Sequence, residues 1–145
     1  MTAWFASLAD AIVVLHFCYV TFTVGGEIAI LLGAGLRWAW VRNLPFRVVH
    51  LASVALVAVE ALAGASCPLT VWEDRLRLLA GQQVEAQISF IARLVRRVIF
   101  YDFPGWVFLA AYVGFALVVV LTFILVPPVG RTRRAAQTTH RRSPP

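Results

Sequence analysis

The run from Trp106 to Val126 carries no charged residue and is followed at once by Pro127 and Pro128. Such a stretch fits one kind of environment well. About 20 residues at a rise of 1.5 Å cross the hydrocarbon layer of a bilayer, and a helix satisfies its own backbone there. The two prolines end it, because proline cannot continue a helix. Two further runs have the required length. One extends from Ala11 to Leu36, interrupted by His16, Thr21, Thr23 and Glu27; the other extends from Val48 to Ser66, interrupted by His50, Ser53 and Glu60.

Composition agrees with this reading. Of 145 residues, 61% are hydrophobic and 14% are charged, against about 45–50% and about 25% in soluble domains. A disordered chain, a coiled coil and an ordinary soluble enzyme are excluded. The expected fold is an all-α, polytopic transmembrane helical bundle. It has three spanning helices and one or two amphipathic interfacial helices at about 70–102. Residues 1–130 form a single domain, and 131–145 are a disordered basic tail. No Lys or Arg precedes the first apolar run, so that run is expected to stay as a membrane helix rather than to be a signal peptide.

All 13 basic residues are Arg, and the formal charge is +6. They flank the apolar runs, which is a topology signal rather than a nucleic-acid footprint; no nucleic-acid partner is expected. With three spans, the first loop and the tail share a side. Together they hold eight arginines, against five in the second loop (Arg75, Arg77, Arg93, Arg96 and Arg97). The bias places the N-terminus outside and the C-terminus in the cytoplasm. The lipid bilayer is the expected partner. A homo-oligomer or a membrane partner protein is compatible with the small-residue pairs Ala29/Gly33, Ala61/Ala65 and Ala110/Gly114, which let helices approach closely.

The second loop has its own pattern. Thr70 and Glu73 have capping-box spacing, which predicts a helix over Val71–Leu79 with Thr70 as its cap and an end near Gly81. Ile88, Ile91, Leu94, Val95 and Val98 recur at helical spacing through about Val84–Tyr101, with Arg93, Arg96 and Arg97 between them. That pattern suits a helix lying in the headgroup layer, its arginines near phosphates. Phe100, Tyr101, Phe103 and Trp106 read as an aromatic belt where the third span begins.

Polar residues inside the apolar runs carry what chemistry the chain has. A charge at the centre of a membrane helix costs about 2.5–3.5 kcal/mol on insertion scales. His16, Tyr19, Thr23 and Glu27 fall on one face of the first helix at 100° per residue. On the second, His50 and Ser53 share a face, with Glu60 turned away by roughly 80°. Antiparallel packing of these helices predicts two levels, His16 with Glu60 and Glu27 with His50, separated by ~15 Å along the helices. The same depth difference argues against His16 and His50 holding one haem, and against a disulfide between Cys18 and Cys67. No metal set of three ligands can be named. The cofactor is unknown. No G-x-S-x-G, P-loop, G-x-G-x-x-G or H-E-x-x-H signature is present. Three readings stay open. The first is a non-enzymatic structural or accessory subunit held together by His–Glu contacts. The second is a redox or ligand-binding protein for a quinone, haem or metal near His16, Glu60 and Cys67. The third is a small proton or solute transporter.

Cys67-Pro68-Leu69-Thr70-Val71-Trp72-Glu73, with Leu15-His16-Phe17, Gly25-Gly26 and Phe90-Ile91, resembles a bacterial membrane family catalogued as domain of unknown function 2784. The likeness covers roughly Leu8–Val126. It implies a small polytopic protein of the bacterial inner membrane and marks His16, Cys67, Pro68, Thr70 and Glu73 as matched positions. The chain departs from the pattern at Ala92-Arg93, after Phe90-Ile91. The resemblance implies no activity.

Overall fold

The computed structural model describes residues 2–84, 88–101 and 103–128. Among them the chain is helical, with no strand: α1 (Thr2–Gly35), α2 (Leu44–Leu62), α3 (Pro68–Leu79), α4 (Phe90–Ile99) and α5 (Gly105–Leu125), plus a 3₁₀ turn over Ala39–Arg42. α1, α2 and α5 are long and apolar enough to cross a membrane. The basic tail lies outside the described residues.

Helix boundaries differ from the expected ones for local reasons. α1 begins nine residues before Ala11, at Thr2, and it packs on α3, with Asp10 reached by Arg77. α2 starts at Leu44, ahead of Val48, because Pro45 sits in the first turn, where its missing N–H costs nothing. It stops at Leu62, short of Ser66, because Gly64 takes φ +65°. The amide of Gly64 then donates to the Ala61 carbonyl and that of Ala65 to the Glu60 carbonyl, closing a Schellman motif. Gly81 ends α3 in the same way, through bonds to Leu78 and Arg77.

The loops depart from expectation in three respects, two in the second and one in the first. Pro68 opens α3 with Cys67 as the flanking residue, so Thr70 lies inside the first turn and caps nothing. Proline's fixed φ suits the first helical position and moves the start forward. α4 is shorter than expected, because Ser89 caps it by accepting the Ala92 amide at 3.2 Å; residues 85–87 lie outside the description. Arg47, counted with the first loop by its charge, is in α2 and only 1% exposed.

The apolar core is small, formed by residues such as Ile30, Val41, Val54 and Val119, while Val14, Phe17, Leu56, Leu117 and Leu121 face outward. α2 packs chiefly on α5, and α1 chiefly on α3, with α1 and α2 touching more sparingly. Phe100, Tyr101, Phe103 and Trp106 are all exposed around the start of α5.

Candidate functional site

α1 and α2 run antiparallel, as their contacts record. Tyr19 Oη donates to the Ser53 carbonyl at 2.6 Å, and His50 Nε2 lies 2.8 Å from the Thr23 carbonyl. A carbonyl only accepts, so Nε2 carries a proton and donates. Glu27 Oε2 is 3.9 Å from His50 Nδ1. Residue number rises along one helix as it falls along the other.

Near the short 36–43 connection, this packing encloses a charge cluster. Glu27, Arg47 and His50 are 2%, 1% and 1% exposed. Arg47 Nη2 donates to the Val126 carbonyl at 3.4 Å, and the guanidinium lies 5.4 Å from the Phe123 ring centroid. A cation there complements the C-terminal end of α5. Phe22 and Phe46 flank the His50 ring. Gly26 makes this approach feasible: a methyl group there would lie 2.8 Å from His50 Cδ2, whereas one at Gly25 would meet nothing. Neither carboxylate oxygen of Glu27 accepts a hydrogen bond, and Arg47 Nε donates none; the cluster coheres through opposite charge at close range.

The other expected level does not form as a pair. No hydrogen bond or ion pair joins His16 to Glu60. The His16 ring instead stacks on Phe90 of α4, with centroids 4.2 Å apart. Glu60 faces the Cys67 thiol, which burial, as the largest cause, pushes above its ordinary range. A thiol held protonated is a poor nucleophile. Cys67 and Cys18 are both free. Nothing in the α1–α2 register signals Phe90, because α4 reaches His16 through the long second loop.

Between these groups lies a cavity of about 510 Å³, within the 300–1,000 Å³ range of small-molecule sites. Its walls are largely apolar, with Val20, Val54, Val57, Ile91 and Phe115 among them, and a few polar groups converge on it: His16, Tyr19, Glu60, Thr70 and Tyr112. His16 Nδ1 and Thr70 Oγ1 are buried there without any hydrogen-bond partner. Buried polar atoms are usually paired, so two orphans lining one cavity are informative. His50 and Glu27 do not line it. The two histidines therefore serve separate places. Among the described residues, no group of three His, Cys, Asp or Glu side chains converges to hold a metal ion.

An ion-pair network fastens the wall formed by α3 and α4. Glu73, 3% exposed, accepts from Arg77 Nε at Oε1 and from Arg93 Nη2 at Oε2, each at 2.8 Å. Arg93 also donates to Asp74 at 3.3 Å, and Arg77 donates to Asp10 of α1 at 3.2 Å. Arg93 is thus engaged with carboxylates rather than turned to lipid phosphates, because Glu73 holds it from α3. Burial, as the largest cause, raises the Asp74 carboxyl from its ordinary value, against the pull of Arg93. Ser89 Oγ lies 3.4 Å from Tyr112 Oη of α5. Of the network, sequence reasoning singled out only Glu73; it did not assign Asp10, Asp74, Arg77 or Arg93 to a site. A lone acid just ahead of an apolar run was the available signal for Asp10.

A family model described as "Protein of Unknown function (DUF2784)" matches residues 6–128. No curated protein and no solved structure matches the chain.

Proposed function

This chain belongs to the DUF2784 family of proteins of unknown function, and from that premise we propose that it is a small integral membrane protein that binds a lipid-soluble amphiphile between α1, α2 and α5. The observation that carries the reading is the 510 Å³ cavity whose apolar walls hold two unpartnered buried atoms, His16 Nδ1 and Thr70 Oγ1. A ligand with an apolar body and a hydrogen-bonding head satisfies both features at once. Quinones and lipid-like carbonyl compounds have this form. Thr70 donates a hydroxyl proton to such a head. His16 accepts from it or donates to it, depending on its tautomer. Entry is lateral, from the bilayer. The arginine bias favours an N-terminus outside, and the family resemblance favours a bacterial inner membrane as the setting.

The Glu27–Arg47–His50 cluster favours a second, structural role for the opposite end of the bundle. It draws together α1, α2 and the end of α5. In this reading the chain combines a sealed, load-carrying end with a receptive one, whether it works alone, as a homo-oligomer or beside a membrane partner protein.

Organic extraction of the protein purified in mild detergent tests the proposal. Mass spectrometry of the extract should find one lipophilic species at near-stoichiometric amount with the wild type, and little of it with His16→Leu. A spectrum of unselected bulk lipid, equal in the two proteins, contradicts it.

A further inference from the structure

The polar groups of the 510 Å³ cavity narrow the chemistry of what fills it. Among the described residues no arginine lines it, and the chain contains no Lys. Arg93, on the neighbouring wall, is held by Glu73 and Asp74. The one acid in the lining is Glu60, which is half-buried. The Cys67 thiol lies between the Glu60 carboxylate and the backbone amide of Thr70, so Glu60 and Thr70 stand at the same end of the cavity. A single thiol proton leaves acceptor capacity on the two carboxylate oxygens. Tyr19 commits its proton to the Ser53 carbonyl. A guest therefore meets a hydroxyl proton from Thr70, acceptor sites on Glu60, and His16 Nδ1, which donates or accepts by tautomer.

Head groups differ in how many of these they satisfy. An anion accepts the Thr70 proton, but it brings a charge into a largely apolar space that holds a carboxylate and no arginine. An ammonium donates to Glu60 and accepts nothing, so the Thr70 proton stays without an acceptor. A carbonyl accepts from Thr70 and gives Glu60 nothing. A hydroxyl does both: its lone pairs accept from Thr70, its proton goes to Glu60, and it carries no charge to desolvate.

Resting on the cavity reading above, we infer that the occupant's head is an uncharged hydroxyl, with Thr70 as its donor and Glu60 as its acceptor. The ligand class is a lipophilic hydroxyl compound rather than an anionic lipid, an amine or a ketone. Val20, Val54, Val57 and Phe115 line the space for its apolar body. Cys67 positions the two polar groups and takes no part in bond making.

The full chain in phosphatidylcholine nanodiscs, equilibrated with equal amounts of hexadecanol, hexadecyl sulfonate, hexadecylamine and a ketone of matching length, provides the test. Probes that remain after re-isolation are quantified by mass spectrometry, with empty nanodiscs as the background. Hexadecanol should be retained about tenfold above each of the others, the ratio that one hydrogen bond to a charged group supports. Glu60→Gln should cut hexadecanol retention severalfold and narrow its margin over the sulfonate. Thr70→Val should also lower it severalfold, in a bundle whose thermal midpoint is unchanged. A sulfonate, amine or ketone retained as well as the alcohol overturns the hydroxyl assignment and leaves the cavity reading standing. So does alcohol retention unchanged by Glu60→Gln or by Thr70→Val. Retention of no probe above background overturns the hydroxyl assignment and the cavity reading together.

Discussion

Glu27, Arg47 and His50 are closed in on every side at one end of the bundle, whereas ~15 Å away along the helices His16 and Thr70 look into open space. Both ends bury polar groups in an apolar frame. At the first, charged groups of α1 and α2 meet beside the Val126 carbonyl that follows α5, each at most 2% exposed. At the second, the groups belong to α1 and α3, the walls stand apart, and two polar atoms find no partner. A buried polar group costs free energy unless it is matched. The first end offsets part of that cost with charges of opposite sign, although Glu27 Oε1 and Oε2 and Arg47 Nε make no hydrogen bond; what sets the second apart is the cavity beside its unpartnered atoms. The difference teaches where structure ends and binding begins in a small bundle.

Removing a charge from the closed end should have the largest effect. Glu27→Ala leaves Arg47 and His50 buried without their carboxylate, and loss of one partner of a buried pair costs about 3–5 kcal/mol. The thermal midpoint in detergent should fall sharply, with the bundle loosening throughout. A midpoint within a degree or two of wild type would mean that the cluster does not hold the helices.

The paired glycines give the next largest contrast. Gly26→Ala should destabilise by about 1–3 kcal/mol, the usual range for overpacking, because its methyl group meets His50. Gly25→Ala should be neutral or stabilising by up to about 1 kcal/mol, as alanine is the better helix former. Equal effects at the two positions would break the claim that His50 packs against α1 at this point.

Ser89→Ala removes the cap of α4 and should cost about 1 kcal/mol. Its consequence belongs to the open end. Amides of α4 should exchange faster in hydrogen-exchange measurements, while those of α2 around His50 stay protected. Faster exchange at both ends would show that the two are not independent.

Thr70→Val should change stability least, by less than about 1 kcal/mol, because the hydroxyl it removes has no partner. It should nonetheless weaken ligand retention. A substitution silent in stability and loud in binding separates the open end from the closed one.

The division between these ends was only partly visible in the residues. Three apolar runs reveal three long helices, since length and lack of charge are local properties. The inward face of His16, Thr23 and Glu27 follows from helical period, and the meeting of Glu27 with His50 follows from antiparallel register. Arg47 was harder. Its neighbours in sequence suggest a flanking topology charge, and only the arrival of the α5 carboxyl end at Val126 explains its burial. The partner of His16 was harder still. Phe90 reaches it through a connection whose path no periodicity encodes, so depth alone pointed to Glu60. Thr70 misled because capping-box spacing is local, while Pro68 two residues earlier had already set the helix start.

Native mass spectra of wild type and of the His16→Leu/Thr70→Val double variant, released from the same mild detergent, test the central claim most directly. Wild type should carry a reproducible mass above the 16.0 kDa chain, and the double variant should be folded and bare. A bare wild-type chain, or the same added mass on both proteins, would contradict a binding cavity at His16 and Thr70.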